Sequence, residues 1–115
     1  VSSMYKYIEL SKQVINEENV YNLKYHNLEF PQMNDMTNVR FKATDEELDS
    51  IYNTILMGSK MKRNDPIRYI NLDRGKLGVT RLTSGQVKII YTASGSDEVK
   101  WTWLSKGQLK KVFGK

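Results

Sequence analysis

Cysteine is absent from these 115 residues, which excludes disulfides, thiolate metal sites and a cysteine nucleophile. The redox compartment stays open, because a cysteine-free chain is at ease on either side of a membrane. The single histidine, His26, leaves no imidazole set for zinc and no triad of the serine–histidine kind. It stands between Tyr25 and Asn27 in an alternating stretch, and so reads as a structural or surface residue. No apolar run exceeds four residues, far short of the roughly 18 that cross a bilayer. No signal-peptide pattern is present either. On this basis the chain reads as cytoplasmic, the alternative being an extracytoplasmic domain whose leader or anchor has been removed. Glycine-rich phosphate loops are missing as well: "DRGKLG" sits between two strand-like runs and reads as a hairpin turn. Asp65, Asp73, Asp97 and Glu98 all fall in turn-forming stretches, so no carboxylate pair marks a glycosidase or nuclease. No metal, cofactor or catalytic constellation is expected. A small ribonuclease working through Arg, Lys and Tyr remains an alternative, since such sites leave no spacing signature.

What is present is an ordinary globular composition, 39% hydrophobic and 27% charged, with chain enough for one core. The expectation is a single α+β domain over 1–115. Many Asn, Lys, Ile and Tyr residues suit an AT-rich genome, such as that of a Gram-positive bacterium or its mobile elements. The charge is unevenly spread. Residues 1–57 carry five basic and nine acidic side chains, a net −4; residues 58–115 carry thirteen basic and four acidic, a net +9. Concentrated positive charge attracts polyanions and is costly to hold together. The alternative is that the two halves pack together and neutralise one another.

Along the chain, Met4, Tyr7, Ile8, Val14 and Ile15 share a helical stripe, predicting an amphipathic helix over 3–17 capped by Ser2 or Ser3. "VYNLKYHNLEF" alternates as a strand that Pro31 stops, and "VRFKA" predicts a second, short strand. "TDEE" is a capping box with Thr44 as N-cap and Glu47 as its reciprocal partner. Leu48, Ile51, Tyr52, Ile55 and Leu56 then give one apolar helix face, ending near Gly58. Asp45, Glu46, Glu47 and Asp49 suit the positive end of that helix's dipole; a metal-binding cluster is the alternative. "GSKMKRNDP" reads as a basic hinge between the halves. Four strand-like runs follow, "PIRYINL", "KLGVTRL", "QVKIIYT" and "EVKWTWL", joined by "DRG", "TSG" and "ASGSD". Turns so short give an antiparallel meander, with glycine where a hairpin wants positive φ. A short C-terminal helix then starts at Ser105 with Gln108 completing its box. Leu104 staples against Leu109, Val112 and Phe113 bury, and Lys110 and Lys111 face water. The class is therefore α+β: a C-terminal four-strand meander plus one or two N-terminal strands, with helices packed on one sheet face. In topology the last fifty residues resemble a single-stranded-DNA-binding coactivator fold and, more loosely, RelE-type ribonuclease toxins. No residue pattern accompanies that topology, so no residue role follows from it.

Both tryptophans lie in "VKWTWLSKGQ". A five-residue turn over 93–97 pairs Tyr91 with Val99, Ile89 with Trp101 and Val87 with Trp103, placing six apolar side chains on one face. Slipping by one residue sets Trp101 opposite Ile90 and Trp103 opposite Lys88, which exposes more apolar surface. At about 25 cal/mol per Å² the first register is favoured, making both tryptophans core. The opposite face then carries Lys88 and Lys100, with Arg81 and Arg68 from neighbouring strands. Arg74 and Lys76 join at one end, and Lys60, Lys62 and Arg63 at another. These nine cations are the expected nucleic-acid-binding residues, and the expected function is a non-enzymatic nucleic-acid-binding protein, DNA or RNA. The competing reading is a protein-interaction module that docks an acidic surface or a second copy of itself.

Overall fold

The computed structural model describes residues 7–29, 35–62, 64–82 and 85–115. Three strands come first, β1 (Ile8–Ile15), β2 (Glu18–His26) and β3 (Met36–Lys42), followed by α1 (Asp45–Gly58). Then come β4 (Arg68–Leu72), β5 (Gly75–Arg81), β6 (Val87–Ala93) and β7 (Lys100–Leu104), and α2 (Lys106–Val112) ends the order. All pairing is antiparallel, in two sheets ordered β1-β2-β3 and β4-β5-β6-β7. The α+β class, the four-strand meander and the C-terminal helix are those the sequence indicates. The N-terminal part differs, because three strands form a sheet of their own.

The expected helix over 3–17 gives way to β1; residues 1–6 lie outside the described residues. Its partner is the reason. β1 pairs with β2 along its whole length, from Ile8↔Tyr25 to Ile15↔Glu18. The two residues between them, Asn16 and Glu17, both hold positive φ, 52° and 67°, as a two-residue hairpin of the I′ kind requires. Only Ile8 and Leu10 pack against the core, and the strand's outer end is exposed. With so few inward positions to fill, alternation leaves little trace in the sequence.

Local signals at the two helices are obeyed. Thr44 Oγ1 accepts from the Glu47 amide at 3.1 Å, and Glu47 Oε1 accepts from the Thr44 amide at 2.8 Å. Ser105 and Gln108 repeat the arrangement at the start of α2. Ile51, Tyr52 and Ile55 of α1 are buried, and Leu48 and Leu56 are half-buried beside them. Gly58 closes α1 where the helix meets the sheet. A Cβ there would stand 2.6 Å from Val79 Cγ1 and 3.0 Å from Val87 Cγ1, so only glycine permits this approach. On α2, Leu109 is fully buried, Phe113 packs its ring 5.4 Å from that of Tyr52, and Lys110 and Lys111 are exposed.

One buried cluster draws on both sheets and both helices. Tyr21, Leu23, Tyr25, Val39 and Phe41 enter from the first sheet, and Leu77, Val79, Val87, Ile89, Tyr91 and Leu104 from the second. The sheets are stitched together beside β7. Tyr25 Oη donates to Lys100 O at 2.7 Å, and the Leu28 amide donates to Trp101 O at 2.9 Å. Buried Asn27 accepts on Oδ1 from the amides of Trp101 and Glu29, and donates through Nδ2 to Asp35. Among the described residues, one ion pair, Lys115 with Asp49, joins the acidic half to the basic half; Lys42–Glu18 lies within the first. Among the described residues the basic surface is thus left largely uncompensated by direct pairing. Among the same residues no helix is long and apolar enough to cross a membrane.

Candidate functional site

The register of β6 and β7 decides which side chains face solvent. The pairs are Val87↔Leu104, Lys88↔Trp103, Ile89↔Thr102, Ile90↔Trp101 and Tyr91↔Lys100. This is the slipped register, so the expectation of two core tryptophans is overturned. Three constraints favour it. The loop runs through Val99, so that pairing restarts at Lys100 and not at Glu98, and Gly95 supplies its positive φ of 78°. Leu104 reaches a fully buried site opposite Val87, next to the start of α2. Trp101 Nε1, which would need a buried acceptor inside, donates instead to Glu29 Oε2 at 2.8 Å. The cost falls on Thr102, which takes the inward position: its Oγ1 is buried and has no hydrogen-bond partner.

The same parity carries across the sheet. On the outward face Asn71, Lys76 and Thr92 form one row across β4, β5 and β6. Tyr69, Gly78, Ile90 and Trp101 form the next, and Thr80, Lys88 and Trp103 the third. Both lysines lie over aromatic rings: Lys76 Nζ is 4.5 Å from the Tyr69 centroid, and Lys88 Nζ is 4.4 Å from that of Trp101. Tyr69 is 55% exposed and leans across Gly78, where a Cβ would meet Tyr69 Cε1 at 3.2 Å and Ile67 Cγ2 at 3.1 Å. Over the first row, an open groove of about 760 Å³ runs between Tyr69 and the loop that precedes β7. None of these outward positions is a carboxylate; Glu29 at the Trp101 edge and Asp97 on the groove wall border the face.

The nine expected cations separate under this geometry. Lys76 and Lys88 share the outward face. Lys100 does not: paired with Tyr91, it takes the core-side parity and is half-buried. Arg81 also has that parity, opposite Val87, and its Nη1 donates to Met61 O at 3.3 Å, tying it to the connector after α1. Arg68 pairs with Val79 and is exposed on the edge strand, again on the core-side parity. Lys60 and Lys62 are exposed on that connector, and Arg63 lies outside the described residues. Arg74 occupies the β4–β5 turn, where its carbonyl accepts from Tyr91 Oη at 3.3 Å and from the Ser94 amide. Burial raises the Tyr91 phenol pKa, with Asp73 adding to the rise and Arg74 opposing it. Gly75 begins β5 and does not hold the positive φ expected of the "DRG" glycine; the turn is made by Asp73 and Arg74.

The functional candidates that sequence reasoning missed are Tyr69, Trp101 and Trp103. Tyr69 alternates outward beside Arg68 and Ile70, a signal that was available. The tryptophans depend on a register fixed by Asn27 and Leu28, more than seventy residues away in the chain, and carry no local signal. Comparison with family models, with curated proteins and with solved structures gave no match to this chain.

Proposed function

We propose that this protein is a non-enzymatic nucleic-acid-binding domain, which sets the outward face of β4–β7 and the neighbouring basic loops against phosphates. The observation that carries the reading is the composition of that face: two lysines, three aromatic rings and no carboxylate at the outward strand positions. The +9 of residues 58–115, joined by one ion pair to the acidic half among the described residues, supports it at longer range. Lys60 and Lys62 are exposed on the connector that Arg81 holds, and add positive charge at longer range. Phosphate neutralisation releases counterions, so affinity falls with salt in proportion to the contacts made. Fluorescence anisotropy with a labelled oligonucleotide tests this. Wild type is expected to bind with a steep salt dependence, and Lys76→Glu with Lys88→Glu to lower the log–log slope by about 2. Absence of salt-sensitive binding at low ionic strength contradicts the proposal.

A second reading, association with another protein or with a second copy, is favoured by a different surface. Val14 and Ile15 are exposed at the tip of the β1–β2 hairpin, beside the edge of β1, which pairs with no second strand among the described residues. Size-exclusion of protein purified at low salt, read at 260 and 280 nm, separates the two. Co-eluting nucleic acid favours the first, and a protein-only oligomer the second.

A further inference from the structure

Resting on the reading above, we infer that the bound nucleic acid is single-stranded, with unpaired bases stacking on Tyr69 and Trp101 while Lys76 and Lys88 leave those rings for phosphates. Tyr69 and Trp101 stand at the two ends of one row, with Gly78 and Ile90 between them. Three strand spacings separate them, roughly 14 Å, so they serve different nucleotides of one strand. The Tyr69 ring lies across Gly78, and the floor between that ring and Trp101 is half-buried Ile90. Trp101 has its indole edge tied to Glu29, which leaves a ring face as its contact surface, the face Lys88 covers. Lys76 covers Tyr69 in the same way. Each lysine is therefore held where an incoming base would stack, and a base that displaces it brings the phosphate to which the ammonium can move. Duplexes hide their base faces, and among the described residues no helix or ribbon projects from this face to enter a major groove, so unpaired bases are the ones that can use the rings. The groove beyond Tyr69 extends the track, and Asn71 beside it offers an amide to a base edge.

The test compares a labelled single strand with its own duplex at low salt, using wild type, Tyr69→Ala and Tyr69→Phe. Tyr69 is exposed, so its removal leaves the core intact, and the unchanged thermal midpoint of each variant verifies that. The single strand is expected to bind at least about tenfold tighter than the duplex. Tyr69→Ala is expected to lose about tenfold in single-strand affinity with duplex affinity unchanged, and Tyr69→Phe to bind like wild type. Both tryptophans lie on this face, so single-strand binding should also quench their emission. Equal affinity for both forms, or a Tyr69→Ala variant that keeps full single-strand affinity, overturns the stacking inference while salt-sensitive phosphate binding stands. Failure of both forms to bind removes the two proposals together.

Discussion

Tyr25 shows how much a single side chain can carry in this fold. Its ring is buried in the core, and its hydroxyl crosses to the second sheet to reach Lys100 O. Burial pushes the phenol pKa well above its ordinary value of 10.0, because phenolate would lose its hydration there. In the unfolded chain the phenol titrates near that ordinary value, so above it the unfolded state binds fewer protons than the folded state. The stability from the buried phenol is therefore complete below about pH 10 and declines as pH rises beyond it. Tyr25→Phe removes both the hydrogen bond and this titration. The variant is expected to be less stable at neutral pH by about 1 kcal/mol, since Lys100 O loses its donor. Urea unfolding at a series of pH values should show that deficit shrinking as pH is raised from about 9 to about 11. A deficit that stays constant contradicts the assignment. Thr102 marks the opposite case. Its buried hydroxyl has no partner, and that cost accompanies a register that lets Trp101 keep its hydrogen bond outside.

Among the elements, those with local rules were legible in the sequence. Thr44–Glu47 and Ser105–Gln108 announce two helices within four residues each, and both form as spaced. Gly85 and Gly95 mark two turns of the meander and hold the positive φ expected of them. The elements defined by distant partners were not legible. β1 carries a helical stripe and becomes a strand because β2 pairs with all of it. β7 takes its register from Asn27, Leu28 and Tyr25, and a one-residue slip exchanged its faces, sending Lys100 inward and both tryptophans outward. The candidate site followed the same division: its charge was evident from composition and Tyr69 from local alternation, whereas the tryptophans were hidden by register. The β1–β2 turn offers a test at this scale. Glu17 holds a φ of 67°, which costs a side-chain-bearing residue roughly 1–2 kcal/mol. Glu17→Gly should relieve it and raise the thermal midpoint by a few degrees, after glycine's own entropic cost is deducted. A lowered midpoint would show that the turn is not strained, and would weaken the account of how β1 is set.

Over the whole molecule, the acidic and basic halves fold around one core, and among the described residues no strand or helix packs on the outward face of the second sheet. The first sheet and both helices supply the burial that stabilises this face from behind. Stacking on an aromatic ring is worth about 1–3 kcal/mol per base, against about 0.5–1 kcal/mol for an exposed lysine over the same ring. On the proposed reading, a stacked base would therefore make the stronger contact with each ring, and the phosphate contact has to supply the rest of the association free energy. The cation set then divides the work. On the proposed reading Lys76 and Lys88 would act on the face itself, while Lys60 and Lys62 would add long-range attraction from the connector. The most direct measurement is amide chemical-shift mapping of the labelled protein during titration with a short oligonucleotide. The largest shifts are expected at Tyr69, Lys76, Lys88 and Trp101, with β1 and the outer surface of α1 unchanged. Shifts confined to α1, α2 or the β1–β2 hairpin, with those four amides unmoved, would contradict it.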